Sequence, residues 1–235
     1  MATADESSDI DVLEDEIEKV SSPETLSVWG LAWPSIIANI LFAAVGIVGL
    51  KAVGALGTEA LAAVGTGQRI FFVIQSLIMA VSTGTTALIA RAYGSGNKEE
   101  GAKVLFESLW IGISLGLLTT AVVWIYGEGI IGLFGLDNQS KILAINYLKF
   151  SMLFSAMFSA SFIFGAALRA AGDAKTPLAI MVFQNIINVF LLIGLVNGSF
   201  GLPNLGVIGA ALAWGLSFTV GTFICFFLWL SLIHI

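Results

Sequence analysis

Long apolar runs separated by short polar breaks make up the chain from residue 26 onward. A bilayer core of about 30 Å requires about 20 apolar residues at helical rise, and six runs reach that length. The pattern therefore predicts an all-α membrane protein in which residues 26–235 form one six-helix lobe. The predicted transmembrane helices are residues 28–50, 70–90, 108–127, 150–168, 177–196 and 207–232.

Composition and charge agree with this pattern and set the N-terminus apart. Hydrophobic residues make up 57% of the 235 residues and charged residues only 11%, which is too little charge for a water-soluble fold. Nine of the sixteen acidic residues lie within the first 24 positions. Residues 1–25 are therefore predicted to be an acidic, disordered tail.

The basic residues predict the orientation of the helices, because cytoplasmic loops carry an excess of Lys and Arg. With the N-terminus in the cytoplasm, six basic residues lie on the cytoplasmic side and four on the opposite side. This orientation makes the tail and the breaks after the second and fourth predicted helices cytoplasmic.

Residues that carry enzyme or metal chemistry are scarce. The single cysteine, Cys225, lies in an apolar run, and the single histidine, His234, lies near the end of the sequence. No catalytic triad and no metal-ligand cluster can be assembled from them. The sequence predicts a protein that is not an enzyme, has no metal site or cofactor and has no nucleic-acid partner. The sequence also predicts that membrane lipid surrounds the protein.

Two polar breaks resemble each other: RAYGSGNKEE at 91–100 and RAAGDAKTP at 169–177. In both, glycine permits the chain to reverse, and the arginine is expected to extend to the membrane surface. Asp173 is expected to pair with Arg169 or Lys175, and Pro177 to lie in the first turn of the next helix. A substrate-binding role for Arg169 is the alternative. The predicted hinges and anchors are Arg91, Gly94, Gly96, Arg169, Gly172, Asp173, Lys175 and Pro177.

A few amide side chains fall inside the apolar runs, where each needs a polar partner. They are candidates for a substrate or ion pathway, and bonding between helices is the alternative. Glycine pairs such as Gly112 and Gly116 are interpreted as close-packing positions. The pathway candidates are Asn39, Gln75, Gln184, Asn185 and Asn188.

Several segments together resemble the multidrug and toxic compound extrusion (MATE) family of transporters. Their order, one after or within each predicted helix, carries the resemblance more than any one of them. The segments are LAWPSII at 31–37, VGALGTEALAAVG at 53–65, TALIARAYGSGNKEEG at 86–101, LRAAGDAKTPL at 168–178, IIN at 186–188 and GLPNLGVIGAALAW at 201–214.

The resemblance implies one lobe, the N-terminal one, of a twelve-helix transporter with two lobes. It also implies a cell-membrane antiporter that exports amphipathic organic compounds in exchange for sodium or protons. The second six-helix lobe is then a partner missing from this sequence, and a half-size protein working as a homodimer is the alternative. An oligosaccharide-lipid flippase and a membrane scaffold are the competing functions.

One departure from the family concerns ion coupling. Many members carry an acidic residue late in the first helix, and some carry another in the fifth. Aligned on the flanking motifs, these positions fall near Gly49 and Leu192, neither of which titrates.

We also expect a cavity lining that includes Phe71, Phe72, Phe158, Phe162 and Trp214.

Overall fold

The computed structural model describes residues 28–233, which are entirely helical apart from short connections. Residues 1–25, predicted to be a tail, lie outside the described residues. The helices in the described range are α1 (Val28–Gly54), α2 (Thr58–Gly94), α3 (Lys98–Gly132), α4 (Asn138–Met152), α5 (Ser155–Ala170), α6 (Lys175–Asn197) and α7 (Gly206–Ile233).

By length and composition, up to six membrane spans can be drawn from the described helices. Five helices are long and apolar enough to cross a membrane alone, and α4 and α5, bent by 51° at a short break, make a sixth if the pair is one broken span. The prediction of an all-α membrane protein is confirmed. The predicted start of the fourth helix at residue 150 is wrong, because its polar first half, α4, begins at Asn138.

The predicted starts of the second and third helices are also too late. Helix α2 begins at Thr58 and α3 at Lys98, in each case ten or more residues before the apolar run. The segment at 53–65 contains the end of α1, a short turn and the first part of α2. Backbone hydrogen bonding continues beyond the hydrocarbon, so α2, at 37 residues, is about 55 Å long.

The chain divides into two units, residues 1–33 and residues 34–235. Within the second unit, α2 lies at the centre and packs against α3, α4 and α5, while α6 packs mainly against α7. Helix α3 also packs along α5, and α4 along α7. This arrangement brings α2, α4, α6 and α7 around a common interior.

The break between α4 and α5 is stabilised by α3. The Thr120 hydroxyl donates to the carbonyl oxygen of Met152, 2.6 Å away, and lies 2.8 Å from the Ser155 hydroxyl. Ser155 donates in turn to the carbonyl oxygen of Gly116 at 2.6 Å. Inside a membrane the carbonyls freed by a broken helix must be paired within the protein. These hydroxyls supply that pairing.

The predicted close packing at Gly112 and Gly116 is confirmed. A Cβ on Gly116 would lie 2.7 Å from the Cα of Ala156 and 2.8 Å from its nitrogen. A Cβ on Gly112 would meet the side chains of Ser159 and Ile163. Only glycine lets α5 approach α3 this closely, which holds the broken span against its neighbour.

We predict that Gly116→Ala destabilises the protein, by at least ~2 kcal/mol, because the added methyl group meets backbone that cannot move aside. Gly129→Ala, in the same helix, is the matched control, since nothing lies within 4 Å of its added Cβ. It should be neutral or stabilising by up to about 1 kcal/mol. Unfolding of the purified protein in detergent measures both, and equal effects of the two changes would contradict the packing described.

Candidate functional site

A cavity of about 280 Å³, the central cavity, lies among α1, α2, α4, α6 and α7. Its wall combines aromatic rings, small apolar residues, amides and hydroxyls, and it contains no charged residue. Its lining residues are Phe42, Val45, Gly46, Gly49, Val53, Val64, Gln68, Phe71, Phe72, Gln75, Tyr147, Ser151, Gln184, Asn185, Asn188, Leu192, Ala210, Trp214, Ser217 and Phe218.

Four of the five predicted pathway amides line this cavity: Gln75, Gln184, Asn185 and Asn188. The fifth, Asn39, does not. It is exposed on α1 and donates to the carbonyl oxygen of Ser35, one turn earlier, at 2.9 Å. The structure therefore brings the amides of α2 and α6 together and leaves that of α1 apart.

Two of the amides also join helices. The Gln184 amide nitrogen donates to the Ser161 hydroxyl of α5 at 3.1 Å, and that of Asn188 to the Ser217 hydroxyl of α7 at 3.4 Å. Both amides are buried and both line the cavity. The two uses expected from the sequence, a pathway lining and a helix-to-helix bond, thus fall on the same side chains.

Asn185 differs from its neighbours on α6. Its amide nitrogen is buried and has no hydrogen-bond partner within residues 28–233. A buried donor without a partner is uncommon, since leaving it unpaired costs about 1–3 kcal/mol. Because Asn185 lines the central cavity, a molecule inside it would find a free donor there.

Aromatic rings form one wall of the cavity around Trp214. The Trp214 ring centroid lies 4.6 Å from that of Phe71 in an edge-to-face contact and 5.2 Å from that of Phe158 in a stacked one. Of the five expected aromatics, Phe71, Phe72 and Trp214 line the cavity. Phe158 is buried behind them, and Phe162 lines a different cavity.

Four polar lining residues are not among the sequence candidates: Gln68, Tyr147, Ser151 and Ser217. The first two precede the predicted starts of their helices, at residues 70 and 150. Gln75, Phe72 and Gln68 are spaced three and four residues apart, which places them on one face of a helix. This pattern identifies Gln68 as soon as the predicted second helix is extended toward its N-terminus. Tyr147 becomes visible only when the fourth span includes α4.

The two positions at which the resemblance places acidic residues meet in this cavity. A Cβ on Gly49 of α1 would lie 3.9 Å from the Leu192 Cδ2 of α6, and both residues are in the lining. An acidic pair at these positions would share one site. In this chain the site is apolar, and the cavity carries no group that gains or loses a proton at neutral pH.

The two polar breaks have the same backbone construction. Gly96 and Gly172 adopt φ values of 74° and 92°, and each donates to the carbonyl three residues earlier. The next residue, Asn97 or Asp173, donates to the carbonyl five residues earlier, which completes a Schellman end. Gly94, also a predicted hinge, has no positive φ and is simply the last residue of α2.

The side chain of the residue after each glycine then accepts hydrogen bonds from the first N–H groups of the next helix. The Asn97 side chain accepts from the Glu100 N–H at 3.1 Å. Asp173 Oδ1 accepts from the Lys175 and Thr176 N–H groups, both at 3.0 Å. The expected ion pair of Asp173 is absent from the described part of the chain, because its carboxylate caps α6 instead.

The remaining predicted anchors differ from one another. Arg91 pairs with Glu100 at 3.6 Å and is exposed, as expected for a helix-end cation. Pro177 occupies the first turn of α6 as predicted, while Lys175 begins that helix. The Arg169 guanidinium lies over Gly165, one turn earlier in α5, because side chains in helices point toward the N-terminus. Its extension to the membrane surface stays a prediction.

Comparisons with known proteins place the geometry in context. A protein-family model described as MatE matches residues 34–193. The "Probable multidrug resistance protein NorM" of Thermotoga maritima is 33% identical over 192 residues, which are 81% of this chain and 41% of that protein. The "Probable multidrug resistance protein YoeA" of Bacillus subtilis is 31% identical over 200 residues, 84% of this chain and 42% of that protein.

Solved structures give the same result. A MOP superfamily transporter from Pyrococcus furiosus aligns with a TM-score of 0.77 and 27% identity, covering 83% of this chain and 42% of that one. An outward-facing multidrug resistance MATE family transporter also aligns with a TM-score of 0.77. The chain therefore spans less than half the length of these relatives.

Asp173 generates a prediction about pH. Burial raises the pKa of Asp173, but hydrogen bonds from the Thr176 hydroxyl and the Thr176 and Lys175 N–H groups, with the Lys175 charge, outweigh it and hold the pKa below its usual range. The stabilisation is therefore present above the unfolded pKa and is lost as the pH falls through the lowered folded value. Asp173→Ala should cost about 1 kcal/mol at pH 7. Asp173→Asn, which keeps the acceptor, should cost less.

Thermal unfolding at pH 7 and near pH 3 measures this effect. The difference between the wild type and Asp173→Asn should shrink at the lower pH, because the charge of the carboxylate is lost as the pH falls through its lowered pKa. A difference that stays constant across this interval would argue against a charged cap at Asp173.

Proposed function

Because the chain belongs to the MATE family, we propose that it forms one lobe of a secondary active antiporter that exports amphipathic organic compounds or drugs. The multidrug resistance names of the relatives support this substrate class. Since the chain spans 41% of the first of them, the proposed activity is that of a two-lobe protein, in which one lobe rocks against the other. We further propose a cell-membrane location with the N-terminus in the cytoplasm.

The observation that carries the proposal is the chemistry of the central cavity. Its aromatic wall offers flat apolar contact at Trp214 and Phe71, and ring faces also attract organic cations. The free donor of Asn185 adds one directional contact. A few polar groups on an apolar, aromatic surface suit compounds that are partly apolar and vary in shape.

We propose that sodium or proton coupling through a carboxylate resides outside this lobe. The positions Gly49 and Leu192 provide no acid, and no Asp or Glu lines the central cavity. Glu107, considered as a deeper acid, is exposed on α3 and lies 3.9 Å from Lys103 on the same helix. An exposed pair of this kind has an ordinary surface role.

The competing functions fit the cavity less well. A flippase for lipid-linked oligosaccharides is expected to have a strongly cationic cavity, because its substrate carries phosphates, and the lining of this cavity has no Lys or Arg. A scaffold requires no interior site, so the free donor and aromatic wall would have no purpose in it. Substrate binding separates the scaffold from the exporter.

We predict ion-dependent efflux of cationic dyes by cells or liposomes containing the protein expressed from its complete gene. Residues 1–235 alone should give none, because alternating access requires a second lobe. Fluorescence of a preloaded dye reports both, and empty liposomes set the background. Vectorial efflux by residues 1–235 alone would overturn the two-lobe proposal, and the absence of efflux from the complete protein would overturn the exporter.

Asn185 provides a sharper prediction within the same protein. Asn185→Leu should lower the apparent affinity for dyes with a hydrogen-bond acceptor by about tenfold, the worth of one directed hydrogen bond in a dry site. Asn39→Leu is the matched control, since that amide lies on α1 outside the cavity. Equilibrium binding by fluorescence anisotropy measures both variants. Equal losses from the two would exclude Asn185 as a contact for the substrate.

A further inference from the structure

A second cavity of about 490 Å³, the Arg169 cleft, lies between α2 and α5. It is more open than the central cavity. Its wall is apolar at one end and carries hydroxyls and one cation at the other. Its lining residues are Met79, Ser82, Thr83, Thr86, Ala87, Phe162 and Arg169.

The cation in this cleft has no acidic partner. Within residues 28–233, no carboxylate lies within 4.0 Å of the Arg169 guanidinium, whereas Arg91, at the end of α2, pairs with Glu100. Asp173, the acid nearest in sequence, is occupied in capping α6. The guanidinium is exposed and unpaired among the described residues, so its donors are available to an anion.

The position of the guanidinium depends on a glycine. Its Nη1 atom lies 3.3 Å from where a Cβ of Gly165 would be, and Arg169 supplies the three side-chain atoms nearest to that point. The missing side chain thus provides the space in which Arg169 turns back along α5. The side chain remains exposed to the cleft, so a ligand can reach it.

The cleft continues the face of α2 that lines the central cavity. Gln68, Phe72 and Gln75 line the central cavity, and Met79 and Thr83 line the cleft. Their spacing of three or four residues keeps them on one side of the helix. On α5, Phe162 in the cleft stacks on Phe158, which stacks on Trp214 of the central cavity. The two cavities therefore share the wall formed by α2, and a row of stacked rings joins α5 in the cleft to α7 in the central cavity.

We propose that the Arg169 cleft is a second binding site, which takes the phosphate or carboxylate of an amphipathic anion. The planar guanidinium binds such oxyanions through two parallel hydrogen bonds. The apolar part of the ligand lies on Met79 and Phe162, further along the cleft from the cation. Either a membrane phospholipid or an anionic organic compound carries this combination of groups.

The threonines of the cleft play a smaller part. Thr83 donates to the carbonyl oxygen of Met79 and Thr86 to that of Ser82, both at 2.9 Å. Because these hydroxyl protons are already engaged, Arg169 supplies the donors for the anion. Replacing the cation alone should therefore remove most of the binding.

Hexyl phosphate, a soluble amphipathic anion, is the probe for this site. Isothermal titration uses the protein expressed from its complete gene and purified in a neutral detergent. The wild type should bind hexyl phosphate and not hexyl glucoside. Arg169→Gln should weaken binding at least tenfold, and Arg169→Lys should restore part of it. Arg91→Gln, a change at an exposed arginine that already has a partner, should leave binding unchanged.

A second variant separates the site from general charge attraction. Gly165→Val keeps every charge but fills the space beneath the guanidinium, so binding should weaken severalfold. Elution by size exclusion and the thermal midpoint confirm that each variant is folded.

Competition by phosphatidylglycerol identifies a lipid as the source of the anion, and competition by a soluble anionic dye identifies a transported compound. The proposal is overturned if the wild type does not bind hexyl phosphate, or if Arg169→Gln binds it equally well. Neither result bears on dye efflux, which tests the exporter separately.

Discussion

The break between α4 and α5 is the constraint on which the interior of this lobe depends. A helix that stops inside hydrocarbon leaves carbonyls that water cannot reach, and each must find a donor in the protein. Thr120 and Ser155 meet this need, and Gly116 brings α3 close enough for them to do so. The 51° bend that results turns α4 toward the central cavity and α5 toward α2. A straight fourth helix would not place Tyr147 in one cavity and Arg169 in the other.

How much of this structure the sequence predicts depends on which physical property each sequence pattern reflects. The length of an apolar run reflects the thickness of the hydrocarbon layer, so the runs predict where the spans lie. The run length does not predict how far a helix continues into the polar layer. This is why α2 and α4 begin earlier than expected, and why Gln68 and Tyr147 were missed. The break itself falls at Leu153 and Phe154, two apolar residues, and no proline or glycine adjoins it. Only the partners on α3 reveal it.

The polar residues form two groups: those whose position follows from helical spacing, and those whose contacts depend on neighbouring residues. The amides of α6 were found because their spacing places them on one side of a helix, and the cavity lies on that side. The behaviour of Arg169 and Asp173 depends instead on neighbours. Spacing favours an ion pair between two residues four positions apart, yet the start of α6 offers Asp173 two backbone N–H groups that need acceptors. Helix ends need such acceptors, and the carboxylate serves the backbone while the guanidinium turns toward Gly165.

The two cavities differ in charge, and this difference matters for the kinds of ligand that we propose for each. Under the two proposals above, the neutral central cavity selects by shape, ring contact and a few amides, and such contacts cost little when one compound replaces another. The Arg169 cleft, with its unpaired cation, selects by charge. Because α2 lines both cavities along one face, a rotation of that helix would alter both at once. A ligand that binds one orientation of α2 more tightly would therefore also change the geometry of the other cavity.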